Sequence, residues 1–134
     1  MRIAFEAHKE QTDKTGIPYI YHPIHLAEQM SDEVTTCVAL LHDVIEDTDM
    51  TFEQLESEGF SSPIIDALRL MTHDDHVPYM DYVAEIKKNS IATTVKLADL
   101  KHNSDLTRLD YVDEKAIARV EKYKKAIALL TNNF

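Results

Sequence analysis

Apolar residues recur at helical spacing along most of the chain, and strict alternation of apolar and polar residues is rare. Ile64, Ile65, Leu68 and Met71 form one such stripe; Val34, Val38, Leu41 and Ile45 form another; Ile117, Val120, Ala126, Ile127 and Leu130 form a third. The pattern predicts helices over 2–12, 23–30, 32–47, 51–58, 62–71, 78–88, 91–103 and 113–130. Ile3, Phe5, Ala7 and His8 are available for packing in the first. Local signals set the boundaries. Gly16 and Pro18 punctuate a loop over 14–18. Pro23 suits a first helical position and pushes His22 out of the α region, at the mouth of the helix. Ser31 or Asp32 caps the next helix. Thr51-x-x-Gln54 is a capping-box pattern, and Gly59 ends the short helix that follows. Pro63 and Pro78 open two more helices, and Ser90 caps another. The expectation is an all-α single domain over 1–134, a bundle of about seven or eight helices.

Two stripes carry polar groups where their position has consequences. On the helix over 32–47, residues advance by about 100° each. With His42 at zero, Glu46 falls near 40°, Asp43 near 100° and Asp47 near 140°, so an imidazole and three carboxylates share one side. The apolar stripe occupies the other side, and only the small Thr35 and Ala39 precede the polar group on its own face. An ordinary amphipathic surface helix also separates polar from apolar, so this helix alone does not decide between a site and a solvated face. The second stripe does more. Ile91, Val95, Asp99 and Leu106 lie at i, i+4, i+8 and i+15, which puts Asp99 at a core position. A carboxylate there is costly unless paired or coordinated. His102 and Asn103 follow on the same side.

Composition narrows the function. The 134 residues suit one core, and 44% hydrophobic with 28% charged residues reads as globular. Two glycines and four prolines are too few for a turn-rich β-sandwich. Fourteen Lys+Arg against 24 Asp+Glu give a formal charge of −10, which disfavours non-specific binding to nucleic acid or an anionic membrane. The same charge means that an anionic substrate needs a metal or a few placed lysines. The lysines of the last helix read as a solvated face. The single cysteine, Cys37, excludes an intrachain disulfide and falls on the apolar flank of its helix as an inert thiol. No apolar run reaches membrane-spanning length and no signal-like segment follows Met1, so a cytoplasmic location is expected.

His22, His42, Asp43 and Asp99 are therefore candidate metal ligands from three helices. Two imidazoles and two carboxylates suit Mn²⁺, Fe²⁺ or Zn²⁺; Ca²⁺ would prefer oxygen alone, and structural zinc would prefer thiolates. Glu46 and Asp47, one turn beyond, are placed to orient a water or move a proton. Such a set suits phosphoester hydrolysis. The polar run His73-Asp74-Asp75-His76 reads as a solvated or pocket-rim loop rather than a second metal site. His8, His25 and His102 stay open between packing in the core and supporting the ligands.

Three ordered blocks then carry a resemblance: Gly16-x-Pro18-Tyr19-Ile20-Tyr21-His22-Pro23, Ala39-Leu40-Leu41-His42-Asp43-Val44-Ile45-Glu46-Asp47-Thr48, and Val95-Lys96-Leu97-Ala98-Asp99-x-x-His102-Asn103. A lone His-Asp pair says little; the ordered set resembles the HD-domain metal-dependent phosphohydrolases, in the branch of the RelA/SpoT-type and small stand-alone (p)ppGpp hydrolases. The resemblance implies an all-helical HD-type fold and a Mn²⁺ ion on His22, His42, Asp43 and Asp99. It implies Glu46 and Asp47 as the catalytic pair, with removal of a 3′-pyrophosphate from an alarmone as the reaction. It also implies Asn103 at the nucleotide sugar and Lys14 lining the substrate site. The chain departs from the family pattern at Glu10, usually glycine; at Asp13, usually the arginine associated with the base; and at Leu100-Lys101, usually Arg-Leu. An acid at 13 cannot stack or donate as a guanidinium does. Three readings stay open: a (p)ppGpp hydrolase, an HD phosphohydrolase of another nucleoside phosphate, and a non-catalytic metal-bearing binding module. Oligomeric state is not legible.

Overall fold

The computed structural model describes residues 1–12, 18–104 and 113–131. The helices are α1 (Arg2–His8), α2 (Tyr21–Glu28), α3 (Glu33–Leu41), α4 (Val44–Asp47), α5 (Phe52–Ser57), α6 (Ser62–Met71), α7 (Tyr79–Lys87), α8 (Ser90–Asn103) and α9 (Glu114–Thr131). The described residues hold no strand, only an isolated bridge between Thr12 and Pro18. The all-α class is as expected.

The helix starts follow from their caps. Asp32 accepts from the Thr35 N–H at 2.7 Å at the head of α3, and Thr51 with Gln54 closes a complete capping box on α5. Asp113 accepts from the Ala116 N–H at 2.8 Å, which places the start of α9 where expected. Gly59, at φ 94°, ends the α5 segment in the left-handed region. One core joins Val38 and Leu41 of α3, Ile65 and Leu68 of α6, Val83 and Ile86 of α7, Val95 and Leu100 of α8, and Ala126 and Leu130 of α9. Burying each large aliphatic side chain stabilises the fold by about 1.5–3 kcal/mol before entropy is counted. α3 packs on α2, α6 and α8, and α8 also meets α9 and α7, so α3 and α8 are the frame on which the polar groups are mounted.

Several expectations change. The helix over 32–47 is two helices. Asp43, at φ −106° and ψ 1°, leaves the helical backbone, and the chain resumes as α4 at Val44. Aspartate is a poor helix-interior residue and a good cap position, which favours a break there. His22 lies inside the first turn of α2, not before it, and Pro23 occupies the third helical position. A first-turn proline forfeits no intrahelical bond, because those N–H groups have no partner in the helix. Asn89, not Ser90, caps α8, accepting from the Ala92 N–H at 3.0 Å. The first helix stops at His8. Phe5 and Ile117, expected in the core, are 49% and 51% exposed. Leu106, the last member of the Asp99 stripe, lies outside the described residues, as do Asp13, Lys14 and Gly16.

Candidate metal centre

The break after Leu41 serves the site. Successive residues on a continuous helix point about 100° apart; with Asp43 off the helix, its carboxylate turns back toward His42. His22 reaches the same point from α2 and Asp99 from α8. One potential ligand atom from each of the four lies within 4.8 Å of every other. His22 Nε2 is 2.9 Å from Asp99 Oδ1; His42 Nε2 is 3.0 Å from Asp43 Oδ2 and 3.4 Å from Asp99 Oδ1. His22, His42 and Asp99 are buried.

His42 shows whether a cation fits. Its Nδ1 sits 2.7 Å from the Ala39 carbonyl, an acceptor only, so Nδ1 carries the proton and donates. That leaves Nε2 as the nitrogen turned to the carboxylates, and in the neutral ring it is the bare one that a cation would take. Nε2 is buried with no hydrogen-bond partner. Atoms bound to one ion at about 2.0–2.2 Å lie at most about 4.4 Å apart. A 4.8 Å spread closes with shifts of tenths of an ångström. The donor set and the orphaned nitrogen both fit a divalent ion.

Other side chains hold the four in place. The Tyr19 hydroxyl donates to Asp43 Oδ2. Burial, then the Asp43 charge, keeps that phenol protonated. Lys96 Nζ pairs with Asp99 Oδ2 at 3.1 Å and Asn103 Nδ2 donates to Asp99 Oδ1 at 3.0 Å. Burial works against the Lys96 charge, but Asp99 outweighs it and raises the ammonium above its ordinary value. Burial likewise opposes the Asp99 anion, and Lys96, His22 and His42 overcome it, holding the carboxyl well below the usual range. Asn103, expected at a nucleotide sugar, is exposed yet tied to Asp99.

Glu46 and Asp47 stand beside this group on α4. Desolvation, with the Asp43 charge adding to it, raises both carboxyls. The His73 backbone N–H donates to Glu46, so the loop between α6 and α7 forms a rim of the site. The described residues hold a single group of convergent ligating side chains, and the His73–His76 run is not part of it. His8 acts through Gln11: the amide nitrogen donates to the Asp47 carbonyl at 3.0 Å, and the amide oxygen accepts from His8 Nδ1 at 2.8 Å. The sequence reading passed over Tyr19, Lys96 and Gln11. Lys96 had a signal, since it lies three residues before Asp99 on one helix face.

Comparison with known proteins shows the family. The HD domain family profile matches residues 1–99. A guanosine-3′,5′-bis(diphosphate) 3′-pyrophosphohydrolase of Aquifex aeolicus is 37% identical over 135 residues, covering 92% of this chain and 18% of that protein. One of Danio rerio is also 37% identical, over 81% of this chain and 67% of its own length. The solved structure of a metazoan SpoT ortholog, described as hydrolysing ppGpp, superposes with a TM-score of 0.80 at 28% identity, over 98% of this chain and 83% of that one. This chain thus spans under a fifth of the longer relative and about two thirds of the shorter. The chain belongs to the HD-domain family.

Proposed function

We propose that the protein is a metal-dependent phosphohydrolase whose substrate is a nucleotide bearing a 3′-pyrophosphate, of the (p)ppGpp type. The observation that carries the reading is His42 Nε2, a buried nitrogen without a hydrogen-bond partner, set among Asp43, Asp99 and His22. His22, His42, Asp43 and Asp99 would hold the ion, Mn²⁺ by the family resemblance, with Fe²⁺ and Zn²⁺ compatible with the same donors. When bound, such an ion makes a water nucleophilic near neutral pH and offsets charge developing on a phosphoryl group.

The chain's own residues supply the rest. Asp43, Glu46, Asp47 and Asp99 outnumber Lys96, so an anionic substrate is repelled until a cation balances them. Burial makes Glu46 and Asp47 stronger bases than free carboxylates, suited to taking a proton from the attacking water. The His73 N–H fixes one Glu46 oxygen and so the direction of the other. Lys14 would contact the substrate from outside the described residues, and Asn103 would divide its amide between Asp99 and the nucleotide sugar. The names of the relatives support the 3′-pyrophosphate. Residues 1–134 would act as one domain, with a small-molecule nucleotide as partner and neither nucleic acid nor membrane engaged. No described helix is long and apolar enough to cross a membrane, and the reading places the enzyme in the cytoplasm.

A second reading, an HD phosphohydrolase of another nucleoside phosphate, is favoured by Asp13 where the family has arginine. A metal-supplemented screen of nucleotides with and without a 3′-pyrophosphate tests both. Pyrophosphate release from the 3′-substituted guanine nucleotide supports the first. Turnover only of other nucleotides supports the second, and no turnover with any metal leaves the binding module.

A further inference from the structure

The two histidines among the candidate ligands are oriented by different means. A histidine that gives Nε2 to a cation keeps its proton on Nδ1, and the group accepting that proton sets both the tautomer and the angle of the ring. For His42 the acceptor is the Ala39 carbonyl. For His22 the partner is another ring: His22 Nδ1 lies 2.5 Å from His102 Nδ1. The two ring planes differ by 11° and their centres are 4.8 Å apart. Nearly parallel planes combined with so short a nitrogen–nitrogen distance mean that the rings meet edge to edge, close to a common plane. That is an in-plane N–H···N bond, not face-to-face stacking. His25, three residues beyond His22 on α2, lays its ring against His102 with centres 4.4 Å apart and planes 33° apart. Helix α2 therefore grips the His102 ring at its edge and on its side, while α8 delivers it from the turn after Asp99.

We propose that His102 is the positioning residue for His22. Its bare Nδ1 accepts the His22 Nδ1–H, with the His102 proton on Nε2, and this turns His22 Nε2 toward Asp99 and the cation site. The inference rests on the reading of His22 as a metal ligand. An ion shared between the two Nδ1 atoms does not explain the contact. Nitrogens bound to one ion at about 2.0–2.1 Å with an angle of 90° or more lie about 2.8 Å or farther apart. The usual acceptors behind a ligating histidine are carboxylates and carbonyls; here the helix pair α2–α8 supplies an imidazole.

The test is the Mn²⁺ dissociation constant of the full chain, read by competition with a chromophoric chelator for wild type, His102→Phe, His102→Asn and His102→Gln, with the melting temperature of each metal-free variant alongside. Phenylalanine keeps the ring and removes the acceptor; asparagine returns an acceptor oxygen near the place of Nδ1; glutamine puts its amide near the place of Nε2. Loss of an orienting partner weakens metal binding by about 10–100-fold, and that is expected for Phe and Gln, with Asn close to wild type. Equal affinity in the Phe variant overturns the inference, and so does an Asn variant as weak as Phe. If the Phe variant does not fold, the Asn–Gln pair decides: Asn tighter than Gln supports the acceptor role, and equal affinities overturn it. A wild-type chain that binds no Mn²⁺ overturns the metal-centre reading and this inference with it, whereas tight wild-type binding with an unaffected Phe variant overturns this inference alone.

Discussion

Replacing Asp99 by alanine removes a carboxylate that meets His22, His42, Lys96 and Asn103 at once. The carboxylate accepts from Asn103 on one oxygen, which also lies 2.9 Å from His22 Nε2, and pairs with Lys96 on the other, and it is 5% exposed. The substitution leaves the Lys96 ammonium buried without its main partner. Breaking one side of a buried ion pair costs about 3–5 kcal/mol. Two effects reduce that here: Glu46 lies near enough to act on Lys96, and the loss of the Asp99 charge relieves its repulsion of Asp43. The expected cost in the metal-free protein is then about 2–3 kcal/mol, or about 6–15 °C in Tm for a domain of this size. Mn²⁺ at a hundred times its Kd adds about 2.7 kcal/mol to the wild type and should add nothing to the variant. Thermal melts with chelator and with Mn²⁺ measure both quantities. The double variant Lys96→Met/Asp99→Leu separates them, because removing both charges recovers stability while metal binding stays lost. A metal-free Tm within two or three degrees of wild type, together with an unchanged Mn²⁺-induced rise, would refute the reasoning.

The other expectations concern the reaction and its conditions. Glu46→Gln should bind Mn²⁺ as wild type does yet lose about 10²–10⁴-fold in kcat, the usual worth of a positioned base; undiminished turnover assigns the base elsewhere. Asp13→Arg should raise kcat/KM for the guanine 3′-pyrophosphate nucleotide, and an unchanged value means the base is read by other residues. In the metal-free protein, burial disfavours the His42 imidazolium, but Asp43 and Asp99 outweigh it and raise its pKa well above the ordinary 6.5. The stability this contributes is fully present below about pH 6.5 and is lost as pH rises through the raised value. Mn²⁺ needs the neutral ring, so its affinity rises over the same interval. Melts from pH 6 upward should therefore fall with chelator and hold or rise with Mn²⁺; parallel trends would contradict the assignment of His42 as a ligand.

Much of this was visible in the chain because the site is built on periodicity. Asp99 interrupts an apolar stripe, and the structure buries it where Ile91 and Val95 predict. His42 follows Val38 and Leu41 at the end of α3, so that helix fixes where its ring lies. The caps at Asp32 and Thr51 were legible because each is a local bond within four residues. What escaped notice depends on contacts between distant segments. The Tyr19 hydroxyl reaches Asp43 across 24 positions, and the His22–His102 pair spans 80. The break at Asp43 was missed because the hydrophobic period runs through it uninterrupted, from Leu41 to Ile45. Phe5 and Ile117 were placed inside by pattern, yet a helix end or an edge of the bundle leaves such residues at the surface.

The central claim concerns one point in space where α2, the α3–α4 junction and α8 meet. Anomalous scattering from crystals grown with Mn²⁺ tests it most directly. The account predicts a single strong peak bonded at about 2.0–2.2 Å to His22 Nε2, His42 Nε2, Asp43 and Asp99. A peak elsewhere, or none in crystals with Mn²⁺ in excess, would contradict it.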